Sequence, residues 1–178
     1  MEQSIQKDAK AYRLKLWQIG IIAVVVSFLG KLSGGNDTNQ QKLYTKKLKQ
    51  APWAPPAWLF APAWTINNFF LLIGLRKIAS LDNVSEKKRL LIIQALIWLI
   101  FFSFNYVYFR KKSTIGAAIL TMSDAVFAVA SLVIANNIDK KVSLTYLPLT
   151  IWTLFASTLA GYQAVHNPDE ALGTPALL

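Results

Sequence analysis

Five stretches of this chain are nearly free of charge, and short polar, basic connectors separate them. They cover about 16–32, 57–75, 90–109, 113–138 and 142–165. A helix rising about 1.5 Å per residue needs roughly 20 apolar residues to cross the hydrocarbon of a bilayer, which is close to these lengths. Lipid offers no partner to a free backbone N–H or C=O, so spanning segments must be helices or closed barrels. A barrel would alternate apolar and polar positions, and no such alternation is present. The pattern predicts an all-α integral membrane protein, a bundle of five transmembrane helices forming a single membrane domain over residues 1–178. The first run is short enough to resemble a secretory signal. No small-residue cleavage site follows it and further spans do, so it is read as a retained helix.

The connectors carry the turn chemistry. Arg76–Lys77 and Lys87–Lys88–Arg89 bracket Asp82–Asn83–Val84–Ser85; Arg110–Lys111–Lys112 is a tight link; Asn136–Asn137–Ile138–Asp139 leads into Lys140–Lys141. The longest connector, 33–56, opens Ser-Gly-Gly-Asn and then sets Leu43, Tyr44 and Leu48 among Lys42, Lys46, Lys47 and Lys49. Such a stretch either lies flat in the headgroup layer or is a solvated loop. The tail 167–178 is expected to be flexible. Five spans place the termini on opposite sides. Of the 19 Lys and Arg residues, 11 then fall on the N-terminal side and 8 on the other, which favours a cytoplasmic N-terminus.

Composition narrows the function. Charged residues make up 16% of the chain, below the roughly 25% of soluble domains. The net charge of +10 lies in the connectors, where it meets lipid headgroups, and no polar domain exists to present it to nucleic acid. No cysteine is present, so disulfides and thiolate metal sites are excluded. No metal cluster, nucleophile elbow or phosphate loop appears, and neither a metal nor a cofactor is expected.

The most specific segment reads Pro52-Trp53-Ala54-Pro55-Pro56-Ala57-Trp58-Leu59-Phe60-Ala61-Pro62-Ala63-Trp64-Thr65. Pro55–Pro56 fit just ahead of, or in, a helix's first turn, so the second helix starts nearby. Trp53 and Trp58 suit interface depth. Pro62 predicts a kink, and Trp64 falls deeper than a belt residue. On these residues alone, anchoring and ligand binding both remain open.

This segment resembles the opening of the second helix in the translocator protein family, also called tryptophan-rich sensory proteins. Their pattern, Pro-x-Trp-x-Pro-Pro-x-Trp-x-Phe-x-Pro-x-Trp-Thr, is met here with the first proline displaced to Pro52. A second match lies in the fifth run. There Pro148, Trp152, Phe155, Ala156 and Leu159 keep the spacing of Pro-Tyr-Leu-x-Trp-x-x-Phe-Ala-x-x-Leu-Asn. The resemblance covers roughly residues 16–167. There are departures. In the third helix Gln94 is kept, but Trp98, Phe101 and Phe102 stand for Asn, Trp and Ser. Ala160 replaces the closing Asn, Asn67–Asn68 replace Leu-Tyr, and Tyr44–Thr45 replace Trp-Tyr.

The resemblance implies a pocket beneath the long loop for a hydrophobic small molecule: a porphyrin, haem or sterol-like compound, or an aromatic drug. It places Trp64, Trp98, Phe101, Trp152, Phe155 and Ala156 around that pocket, and Trp53, Asn68 and Asp124 complete the expected ligand set. Trp152, Phe155 and Ala156 share one helical face, where rings can stack on a flat ligand beside a small residue. Ordinary helix packing is the alternative. Asp124 is the one charge deep inside a run; Asn67, Asn68, Asn105 or Ser123 could partner it. The reading that follows is a membrane receptor for porphyrin-like ligands, with a transport or stress-sensing role. A membrane enzyme degrading porphyrin oxidatively, with Trp64 and Trp152 its only catalytic candidates, and a regulatory scaffold with a vestigial pocket are the alternatives. His166, the only histidine, is read as a surface residue. Ala117, Thr121 and Ala125, and Thr153, Ser157 and Gly161, form small-residue ladders that serve packing within or between chains. The resemblance implies a homodimer. The short N-terminus and Lys-rich composition suit a bacterial inner membrane.

Overall fold

The computed structural model describes residues 14–35, 38–81 and 84–178. The basic residues Lys7, Lys10 and Arg13 ahead of the first run, and the connector residues Asn36, Asp82 and Asn83, lie outside these, as do the side chains of Leu43 and Val84. The helices are α1 (Leu16–Leu32), α2 (Thr38–Lys47), α3 (Phe60–Ala79), α4 (Val84–Asn105), α5 (Thr114–Asn136) and α6 (Lys140–His166). A 3₁₀ turn, Ala57–Leu59, leads into α3, and a π-helical turn, Tyr106–Arg110, ends α4. The described residues hold no strand, only an isolated bridge between Asp169 and Thr174. Four helical stretches are long and apolar enough to cross a membrane: Ala57–Ala79, Ser85–Arg110, Thr114–Asn136 and Lys140–His166. α1, at 17 residues, is a shorter apolar helix.

Local chemistry sets the boundaries. Ser113 caps α5, its hydroxyl accepting from Gly116 N–H at 2.9 Å, and Asp139 caps α6 through Lys141 N–H at 2.7 Å. Pro62 is the third residue of α3, just past the 3₁₀ turn, within the first turn where a proline's missing N–H is best tolerated.

The helices form a ring in the order α1, α3, α6, α5, α4, with α3 and α4 also touching across it. α3 turns Phe60, Trp64, Asn67, Leu71, Gly74 and Ile78 along one stripe, alternating steps of four and three. α5 runs a similar stripe of small residues, Thr114, Ala117, Thr121, Asp124, Ala128, Ser131 and Ala135, all buried. α6 packs closely on it. Ser157 Oγ donates to Thr121 O at 3.4 Å, Ser143 Oγ donates to Leu132 O at 2.9 Å, and Gly161 faces Met122. The two small-residue ladders therefore face one another inside the bundle.

The core has two parts. Toward the short connectors, Leu71, Ile78, Leu90, Ile97, Val142, Tyr146 and Leu149 pack tightly. A buried chain of hydrogen bonds ties three helices there: Tyr146 OH donates to Gln94 Oε1 (2.8 Å), and Gln94 Nε2 donates to Leu71 O (2.8 Å). At the other end Tyr44 and Leu48 are buried against Tyr108 and Ala117. The 38–47 segment is thus a helix seated on the bundle by its apolar side. Lys42, Lys46 and Lys47 point outward from it.

The start of the tail is tied to the bundle, with Asp169 only 1% exposed and Asn167 3%, while 170–178 are exposed. Asp169 Oδ2 accepts from Ser113 Oγ (2.7 Å) and Ile115 N–H (2.9 Å), so a residue far along the chain helps cap α5. Asp169 Oδ1 accepts from Leu172 N–H at 2.9 Å. Leu177 and Leu178 N–H donate to Val165 O, and Lys112 pairs with Glu170 at 2.9 Å.

Candidate aromatic site

The stripe on α3 builds the site. Phe60 meets Trp152 of α6 edge-on at 5.4 Å, and Trp152 meets Phe155 at 5.9 Å. One turn on, Trp64 meets Phe101 of α4 at 5.4 Å, and Phe101 meets Trp98 at 5.8 Å. Phe101 is held by α1, because it rests where a side chain at Gly30 would project. Phe60 and Trp64 are four residues apart, so one face of α3 joins the two groups of rings. Such walls offer edge and face contacts to a planar aromatic guest.

A third group of rings lies at the loop end of the bundle. Trp53 Nε1 donates to Thr158 Oγ1 at 3.1 Å, and its ring meets Tyr162 edge-on at 5.5 Å. Tyr162 stacks on His166 at 3.9 Å. His166 is half-buried, and its Nδ1 faces Tyr162 O at 3.0 Å. The loop is clasped over this end. Asn167 accepts from Lys49 N–H at 2.6 Å and donates to Lys49 O at 3.0 Å, and Gln163 Nε2 donates to Gln50 Oε1 at 2.6 Å. Tyr108 OH completes the clasp by donating to Gln163 Oε1 at 3.0 Å. Below the loop, burial raises the Tyr44 phenol well above its ordinary range. Burial raises Asp169, but hydrogen bonds from Ser113, Ile115, Leu172 and Ala171 outweigh it and hold the carboxyl below its usual range.

Not every expected residue joins the rings. Asn68 faces α1, its Nδ2 donating to Ser27 Oγ at 2.9 Å. Asp124 lies on the buried stripe of α5, 1% exposed, and its Oδ1 has no hydrogen-bond partner. Asn68 and Asn105, named as its partners, instead bond Ser27 and Gly30 O. Ala156 is half-buried beside Phe155 on α6. Asn67 was named only as a candidate partner of Asp124. It is 3% exposed, lies on the stripe between Trp64 and Leu71, and its Nδ2 has no partner. Its distance of seven residues from Phe60 was the available signal. Trp152 Nε1 is likewise buried without a partner.

The comparisons with known proteins agree with this architecture. The TspO/MBR family model matches residues 19–165. The chain is also similar to the tryptophan-rich protein TspO of Chlorobaculum tepidum, at 25% identity over 119 residues, covering 65% of this chain and 74% of that one. With four apolar helices of spanning length and a family match over most of its length, this multi-pass integral membrane protein belongs to the TspO/MBR family.

Proposed function

We propose that this protein is a membrane receptor for planar, largely apolar aromatic ligands of the porphyrin type, held among the rings of α3, α4 and α6. The observation that carries the reading is the continuous face of α3, which sets Phe60 against Trp152 and Trp64 against Phe101 beneath a clasped loop. Flat guests stack on such rings, and the few polar groups present would orient them. α1 completes the ring of helices in this reading as a fifth span, and a homodimer in a bacterial inner membrane is the proposed assembly. The α5–α6 ladders are consumed within the bundle, so that dimer would use another face.

The test is binding of protoporphyrin IX to the full chain in nanodiscs, followed by tryptophan emission. Phe101→Ala and Trp152→Leu should each weaken binding roughly tenfold or more, as loss of a packed ring contact implies. Equal affinity in both variants would remove the site from consideration. An illuminated sample yielding a protein-dependent porphyrin product, lost in Trp64→Phe and Trp152→Phe, would favour the enzymatic alternative. Absence of saturable quenching would favour the scaffold.

A further inference from the structure

Asn67 has no part in the hydrogen-bond networks that hold the helices. The neighbouring amides each make at least one side-chain hydrogen bond: Asn68 with Ser27, Gln94 with Leu71 and Tyr146, Asn105 with Gly30. Asn67 is 97% withdrawn from the surface by its 3% exposure, yet its Nδ2 donates to nothing. Buried polar groups are nearly always satisfied, and an exception calls for a reason. Lipid cannot supply the missing acceptor. The position supplies a reason. Asn67 follows Trp64 on the inward stripe and precedes Leu71, whose carbonyl is already taken by Gln94. It therefore lies at the inner end of the ring-lined stretch, where the packed lower core begins. A second free donor, Trp152 Nε1, belongs to the ring that Phe60 meets. Other buried atoms without a partner, such as Asn68 Oδ1 and Asp124 Oδ1, lie off the ring-bearing stripe; the two that belong to it are both donors, so a guest that pairs with them carries acceptors.

We propose that Asn67 is a specificity-determining residue of this site, donating through Nδ2 to a carboxylate or carbonyl oxygen on the rim of a planar aromatic ligand. The proposal rests on the binding function argued above. It names the chemistry selected: a flat apolar body with an oxygen acceptor at its edge, in preference to the same body with alkyl groups alone. A site built to pair a buried donor discriminates against guests that leave it unpaired.

The experiment compares two porphyrins on the full chain in nanodiscs. Protoporphyrin IX carries rim carboxylates, and octaethylporphyrin carries only alkyl groups. Asn67→Leu should weaken protoporphyrin IX about tenfold, as loss of one buried hydrogen bond to a charged group implies, and leave octaethylporphyrin within about twofold. The side-chain amide resonance of Asn67 in the unaltered protein gives a reading that needs no variant. It should shift with protoporphyrin IX and stay in place with octaethylporphyrin. The proposal is overturned if Asn67→Leu weakens both porphyrins equally or neither, or if the amide resonance responds alike to both. If the unaltered protein binds neither porphyrin, the binding function itself falls, which is a different outcome.

Discussion

Phe101 lies directly against Gly30: a Cβ built on that glycine would come within 2.6 Å of the ring's Cε1 and Cζ. This contact fixes the wall of the aromatic site, because the same ring meets Trp64 at 5.4 Å and Trp98 at 5.8 Å. α1 thus shapes the site through an absent side chain.

Gly30→Ala should force the Phe101 ring to tilt and cost about 1–3 kcal/mol, the usual range for overpacking. Thermal unfolding should show the loss, and tryptophan emission should shift as Trp64 loses its neighbour. Adding Phe101→Leu should restore stability but not the emission. A Gly30→Ala protein with unchanged stability and emission would refute the contact.

The Tyr146–Gln94–Leu71 chain predicts a coupled loss. Tyr146→Phe removes the donor and leaves Gln94 Oε1 buried without one, costing about 1–3 kcal/mol. Gln94→Leu should cost a similar amount. Because the two share one interaction, the double variant should cost clearly less than the sum. Additive losses in a thermal-shift assay would show that the groups act separately.

The tail gives a pH prediction. Asp169 is held below the usual carboxylate range in the folded protein. A group with a lowered folded pKa stabilises the fold above its ordinary pKa, and that share is lost as pH falls through the lowered value. Stability should therefore be level near neutrality and decline in acid, with protection of the first α5 amides declining alongside. Asp169→Ala should cost about 1 kcal/mol at neutral pH, as loss of a helix cap does, and should flatten the acid decline. Hydrogen exchange at Ile115 and Gly116 reads both effects, and unchanged exchange in the variant would contradict the cap.

The loop clasp predicts kinetics. Asn167→Ala removes both side-chain bonds to Lys49. If the loop covers the mouth, release of protoporphyrin IX should quicken about fivefold, the equivalent of roughly 1 kcal/mol. Stopped-flow displacement measures it. Release at the unaltered rate would mean that ligand does not leave past this loop.

Much of the helical layout could be read from the chain because it is written locally. Charge-free runs, Pro55–Pro56 ahead of α3 and Ser113 before α5 each act within a turn of where they stand. The facing of residues within a helix was harder. Asn67 and Asn68 are adjacent, so they point about 100° apart, and only the packing of α1 and α4 decides which one faces inward. Asn68 meets Ser27 of α1. The capping role of Asp169 could not be read because its partner, Ser113–Ile115, lies more than fifty residues away. Tyr44 and Leu48 were seen as an apolar side of a basic segment. Their partner, Tyr108, is brought to them by the π turn that ends α4, which leaves no mark in the sequence pattern.

The most direct test of the central claim is a structure of the full chain with protoporphyrin IX bound. The macrocycle should lie among Phe60, Trp64, Phe101 and Trp152, beneath the clasped loop, with a rim oxygen at Asn67. A porphyrin found instead on the lipid-facing side of α1, against Trp17 and Phe28, would contradict it.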